Sequence, residues 1–323
     1  MSTRESPLVR RESGLSESWR GVPTAGQYAS ALQHPALCFR DPWLQQCTTT
    51  RTPLGQPASR AGSHSIVVPL RTPGGERFAA KLFTRAVPDR ARRYREIAAF
   101  LRGLAGARLS QAWNLETDFV AEGVLVEDAW YPLVTMRWAE GEPLNAWLDA
   151  HHDEREAVDE VAGNFLNLVH DLARLGIAHG DFHHGNILVA DDLTLRLIDY
   201  DGMFVPALAG LPGVELGLEH YQHPTRRPED FGPDLDRFSA HLIYLSLLAV
   251  ARDPAIWPQF HLPDADYLIL ESRDLRSPAT SARLLVLACH PDRAVATQCA
   301  LLIRSLRLPA QRSEGSLKRR QIV

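Results

Sequence analysis

The chain has 323 residues, 45% of them hydrophobic and 23% charged, a composition able to bury a large core and outside the range of disordered chains. Lys and Arg total 35 against 39 Asp and Glu, a formal charge of −4, which excludes partners that need a broad basic surface, nucleic acid first among them. Cys38, Cys47, Cys289 and Cys299 show neither a CxxC pair nor metal-type spacing, the N-terminus MSTRESPLVRRESG lacks the apolar run of a signal peptide, and Leu242–Ala251 is too short to span a bilayer, so the expectation is a cytoplasmic protein with free thiols and no membrane contact.

Residues 1–22 read as a flexible leader and 311–323 as a flexible tail, since neither offers side chains to pack. Residues 23–52 carry apolar and aromatic side chains and are expected to pack, as a helix and a strand, on the half that follows. That half is strand-rich. SIVVPL (65–70) and RFAAKLF (77–83) flank Thr72-Pro73-Gly74-Gly75-Glu76, a hairpin signal because glycine tolerates positive φ. Two further strands, 119–126 and 130–137, flank Glu127-Asp128-Ala129. Between the hairpins, 88–104 reads as a helix, with Pro88 in its first turn and Tyr94, Ile97, Phe100 and Leu101 at helical spacing.

The second half is helix-rich. Val158, Val161, Phe165, Leu168, Leu172 and Leu175 recur at steps of three and four, and Gly176 follows as a stop. A small hairpin comes next, Ile187-Leu188-Val189 against alternating Leu193, Leu195 and Leu197 around the turn Ala190-Asp191-Asp192. Helices are expected over 234–251 and in two segments between 280 and 306. Strands first and helices second point to an α+β architecture with a cleft between two lobes.

The chemistry concentrates around that small hairpin. Before it stands His179-Gly180-Asp181-Phe182-His183-His184-Gly185-Asn186, and after it Leu197-Ile198-Asp199-Tyr200-Asp201-Gly202. An amide oxygen and a carboxylate suit a hard divalent cation that completes its shell with water and phosphate, and Asp181 is then free to accept a proton from a hydroxyl. Either Asp199 or Asp201 could be the ligand. Three histidines near Asp181 also invite a zinc reading, but H-x-D-x-H-H lacks the histidine pair two residues apart that the common metallohydrolase motif requires.

HGDFHHGN resembles the catalytic loop of the protein-kinase-like superfamily, and Ile198-Asp199-Tyr200 resembles the start of its metal-binding element. Phe78-Ala79-Ala80-Lys81 is similar to the third-strand lysine motif, and Glu96 matches the helix glutamate that pairs with that lysine. Leu235-Asp236-Arg237-Phe238-Ser239 looks like the start of the central helix whose aspartate supports the catalytic loop. The motifs stand in the family's order over roughly 53–306.

The resemblance implies a bilobal fold, with an N-lobe over 53–138 and a C-lobe over 139–310, using ATP with magnesium or manganese. It places Lys81 on the α- and β-phosphates, oriented by Glu96, with Asp181 as catalytic base, Asn186 and Asp199 as metal ligands, and His179 and Asp236 as structural support. Met136 would stand at the gatekeeper position, with the backbone of Arg137, Trp138 and Ala139 facing adenine. Leu54 to Ser65 would cover the phosphates through Gly55 and Gly62.

The departures refine the subclass. Gly180 stands where many protein kinases have an arginine, which makes the loop similar to that of aminoglycoside and choline phosphotransferases. The arrangement YDGMFVPAL, YQHP and DLDRFS resembles bacterial Ser/Thr-kinase-like proteins instead. The implied activity is therefore transfer of the γ-phosphate to a Ser/Thr hydroxyl of a protein partner, autophosphorylation included. The alternatives are a small-molecule acceptor and a catalytically silent nucleotide-binding scaffold.

Overall fold

The structure is a computed structural model that describes residues 21–62, 64–87 and 89–310. The leader up to residue 20, the tail 311–323 and the expected first-turn Pro88 lie outside the described residues.

Three short helices open the described chain, α1 (Ala25–Ala31), α2 (Pro35–Cys38) and α3 (Pro42–Gln45). Thr24 starts α1 as a capping box with Gln27, each side chain accepting the other residue's backbone N–H. Then come β1 (Thr48–Thr49), β2 (Arg60–Ala61), β3 (Ser65–Arg71), β4 (Arg77–Phe83), α4 (Arg90–Gly103), β5 (Thr117–Val126) and β6 (Ala129–Arg137). The strands form one antiparallel sheet in the order β1-β3-β4-β6-β5, with β2 also on β3. The β3–β4 turn uses Gly75 at φ 88°, and the two-residue β5–β6 turn puts Glu127, a non-glycine, at φ 56°.

Strand alternation divides the sheet's side chains between two cores. Ile66, Val68, Leu70, Ala80, Leu82, Val124, Tyr131 and Leu133 face Tyr28, Leu32, Phe39 and Leu44, so the N-terminal helices cover one face. Ala79, Phe83, Val134 and Met136 face the other way, against Tyr94 of α4. Lys81 shares the parity of Ala79 and Phe83 and lies on this second face, paired in register with Val67 and Val134.

The helical half holds β7 (Glu142–Pro143), α5 (Leu144–His151), α6 (Arg155–Leu175), β8 (Ile187–Val189), β9 (Leu195–Leu197) and α7 (Arg237–Arg252). It continues through α8 (Ile256–Phe260), α9 (Ser272–Arg276), α10 (Ala282–Ala288) and α11 (Arg293–Ser305). Every residue of α7 from Phe238 to Ala251 is buried, the pattern of a helix wrapped on all sides. α6 presents Val158, Val161, Phe165, Leu168 and Leu172 to the same core and ends at Gly176, φ 67°. Ile97 and Leu101 of α4 also enter this core, so α4 ties the sheet to the helical half. Each such buried side chain contributes roughly 1.5–3 kcal/mol.

Two expectations shift. Leu193, read as a strand residue, sits in the β8–β9 turn at φ 59°, its carbonyl accepting from Asn164 Nδ2 at 3.0 Å. The strand alternation therefore begins at Leu195. The short helices α5, α8 and α9 carry too few turns to have stood out as periodic runs. Among the described residues no helix is long and apolar enough to cross a membrane.

Candidate active site

Lys81 is 2% exposed in the middle of β4. A buried ammonium requires counter-charge, and it comes from the other half of the chain. Nζ donates to Asp199 Oδ1 at 2.6 Å and also to Asp201 Oδ1. Burial alone would lower the lysine's affinity for its proton, but the two carboxylates outweigh it and raise the pKa. Asp199, although open to the cleft, lies deep enough in it that desolvation acts to raise its carboxyl, and the neighbouring Lys81 more than offsets this and holds it below the usual carboxylate range.

The turn that presents Asp199 is held from several sides. Asp199 adopts φ 63°, ψ 76°, a conformation a non-glycine residue holds only when its surroundings impose it. Tyr200 behind it is fully buried, donating to Leu197 O at 2.8 Å and accepting from Leu115 N at 3.0 Å. Ile198 N donates to Asn186 O at 3.1 Å, and His179 Nε2 to Ile198 O at 2.8 Å, so the turn and the loop 179–186 form one unit.

Within that loop Asn186 Nδ2 donates to Asp181 O at 2.9 Å, which leaves the Asn186 amide oxygen available. Asp181 Oδ1 accepts from Leu218 N at 3.0 Å, and Oδ2 lies 3.4 Å from His183 Nε2. Burial acts to raise the Asp181 carboxyl, but the hydrogen bond and charge of His183, with the Leu218 N–H, hold it at about 2. Asp181 is thus a strong acceptor and a weak base at neutral pH.

The loop's backbone hangs on Asp236, whose carboxylate accepts from His179 N and from Gly180 N, the latter at 2.9 Å. A carboxylate at a helix start more often caps its own helix, but this one makes no such bond. Arg226 adds a bond to Gly180 O at 2.9 Å. Gly180 itself is obligatory: φ is 84°, and a Cβ there would lie 1.9 Å from Gly202 O. The absence of an arginine at this position thus follows from how closely the loop and the turn approach. Gly217 is similarly constrained, at φ 74° with a Cβ site 2.7 Å from Asp181 Oδ1.

Lys81, Asp181, Asn186, Asp199, His179 and Asp236 are therefore brought together, and other expected residues are not. Glu96 is half-buried and makes no bond to Lys81; the inward face of α4 is Arg93, Tyr94, Ile97, Ala98 and Leu101. Tyr94 occupies the place foreseen for Glu96, its hydroxyl donating to Asp201 Oδ1. Gly55 lies in a side loop closed by the Arg51–Pro57 bridge, its carbonyl bonded to Arg51 at 2.7 Å. Gly62 does stand at the β2–β3 turn, where its N–H donates to Ser65 O at 2.8 Å.

Met136 is buried at the back of the cleft face. Of the three backbone N–H groups expected to face adenine, those of Arg137 and Trp138 are committed within the protein, to Glu116 O at 2.9 Å and Arg77 O at 3.1 Å. Glu215 and His64, unflagged in the sequence, meet at the cleft edge at 3.3 Å. Nothing in their spacing announces the pairing, which the course of the chain brings about.

The donor chemistry fits a hard cation. Asp199 is exposed to the cleft, with a side chain 48% accessible, and Asn186 offers an amide oxygen. The histidines do not supply a zinc set. His179 Nε2 is committed to Ile198 O, His184 Nδ1 to the Tyr221 hydroxyl at 2.5 Å, and no group of three His, Cys, Asp or Glu that could hold a metal occurs among the described residues.

A family model described as the ABC1 atypical kinase-like domain matches residues 124–206, which hold the loop and the metal-type turn. Serine/threonine-protein kinase rio2 from Dictyostelium discoideum is 34% identical over 70 residues. That stretch is 22% of this chain and 12% of that kinase, so only a small part of the relative's length is matched. The solved structure of the Cydia pomonella granulovirus kinase PK-1 superposes with a TM-score of 0.50 at 15% identity, over 84% of this chain and 90% of that one. Together these likenesses support a protein-kinase-like superfamily, with the family model's match confined to 124–206. The bilobal α+β fold explains why a lysine at residue 81 and carboxylates near residue 200 share one cleft.

Proposed function

We propose that the cleft transfers the γ-phosphate of ATP to a Ser or Thr hydroxyl of a protein, its own chain included. The observation that carries this reading is the Lys81–Asp199 ion pair at 2.6 Å across the cleft, beside the joined Asp181 and Asn186. Lys81, buried and held charged by its two carboxylate neighbours, would bind the α- and β-phosphates. Asn186 and Asp199 would hold magnesium or manganese, which when bound offsets phosphate charge. Asp181, fixed by the Leu218 N–H, would orient the acceptor hydroxyl by accepting its hydrogen bond. Its low proton affinity suits a loose transition state that asks little of a base.

A small-molecule acceptor is the second reading, favoured by the likeness of the loop around Gly180 to that of aminoglycoside and choline phosphotransferases. Purified protein incubated with labelled ATP, Mg²⁺ and a cell extract separates the two. Label on Ser or Thr of protein, read by mass spectrometry, supports the first; label confined to the small-molecule fraction replaces it with the second.

A further inference from the structure

We propose that Tyr94 and Asp201, not Glu96, hold Lys81 in its phosphate-binding position. This rests on the reading of the cleft as an ATP site and deepens it. Tyr94 and Glu96 are two residues apart on α4, about 200° around the helix axis, so they cannot face Lys81 together. Tyr94 is the one that does. It is 3% exposed and packs its ring against Phe83 of β4 at 5.4 Å and Phe119 of β5 at 6.1 Å. Turning α4 to bring Glu96 inward would extract Tyr94 and Ile97 from their cores.

The Tyr94 hydroxyl donates to the Asp201 oxygen that also accepts from Lys81 Nζ. One carboxylate thereby joins the helix, the strand lysine and the turn that carries Asp199. This also gives Asp201 a task distinct from that of Asp199. The Asp201 side chain is 13% exposed, with Oδ1 on both Lys81 and Tyr94, whereas Asp199 is 48% exposed and open to the cleft. If Asp199 turns to a cation, Lys81 still keeps one counter-charge, without which a buried ammonium is strongly disfavoured.

The test compares Tyr94→Phe, Asp201→Asn, Glu96→Gln and Lys81→Met by calorimetric ATP binding with Mg²⁺, steady-state KM and kcat, and the ¹⁵N–¹H NMR signal of the Lys81 ammonium without nucleotide. Tyr94→Phe and Asp201→Asn are expected to weaken ATP binding about tenfold, raise KM and move the Lys81 signal. Glu96→Gln is expected to stay within about twofold of wild type in all three. Tyr94→Phe keeps the ring, so it remains informative if Asp201→Asn fails to fold. The inference is overturned if Glu96→Gln moves the Lys81 signal while Tyr94→Phe leaves it in place. Equal ATP binding by wild type and Lys81→Met instead overturns the ATP-site reading, and the ammonium signal still decides which residues hold Lys81.

Discussion

Replacing Asp181 by asparagine keeps the side chain's shape and its bond from Leu218 N while removing the charge that would receive an acceptor hydroxyl. The variant is expected to bind ATP as wild type does and to lose at least about a hundredfold in transfer rate, measured by single-turnover assay. A rate within a fewfold of wild type would remove Asp181 from the chemistry. Gly180→Ala tests backbone geometry instead: positive φ combined with a Cβ site against Gly202 O predicts a loss of about 1–3 kcal/mol or more in urea denaturation. An unchanged midpoint would contradict the close approach. Asp181, Asn186 and Asp199 were legible in the sequence because they cluster around one short hairpin. Glu96 misled because sequence order constrains a helix residue's position but not its facing. Tyr94, counted only as one apolar position of a periodic series, was the residue facing the cleft.

At the scale of elements, strands β3 to β6 and helices α6, α7, α10 and α11 were readable because alternation or helical spacing ran long enough to be distinctive. The segment 54–65, expected to lie over phosphate, was read less well, because its path depends on tertiary pairing: β1 and β2 both lie along β3, and the loop holding Gly55 bulges away between them. The segment 212–218 joins the halves by contacts with no local signature. Pro212 O accepts from Arg93 at 2.6 Å, and Glu215 meets His64. Burial first, then the charges of Asp201 and Asp199, push the Glu215 carboxyl up to about 7, with Lys81 opposing and Asp181 adding; Arg90 also faces it. A folded-state value above the unfolded 4.5 means the native protein holds this proton more tightly, so stability falls as pH rises from about 4.5 through 7. Glu215→Gln should therefore match wild type near pH 4.5 and be more stable by about 2 kcal/mol near pH 8, as read by denaturant melts at both values. A pH-independent difference would show that this carboxyl is not destabilised by its surroundings. Asp236→Asn should cost about 1–3 kcal/mol, since an amide offers only one oxygen to the two N–H groups of His179 and Gly180.

Over the whole molecule, the strand-rich and helix-rich halves have separate hydrophobic clusters, yet the groups that matter come from both. Lys81 has its counter-charges only across the cleft, α4 packs into both cores, and Asp236 reaches from the start of α7 to the loop that carries Asp181. The order of motifs along the chain anticipated this meeting, whereas the identity of the acceptor has no comparable signal, because an acceptor surface is set by shape rather than by a short residue pattern. These groups are proposed to form one phosphotransfer centre. Its most direct test is transfer of label from γ-labelled ATP with Mg²⁺ by wild type, Lys81→Met and Asp181→Asn, with folding of each verified. Wild type is expected to transfer label and both variants to lose transfer, ATP binding being lost only in Lys81→Met; undiminished transfer by both variants would remove these groups from the chemistry.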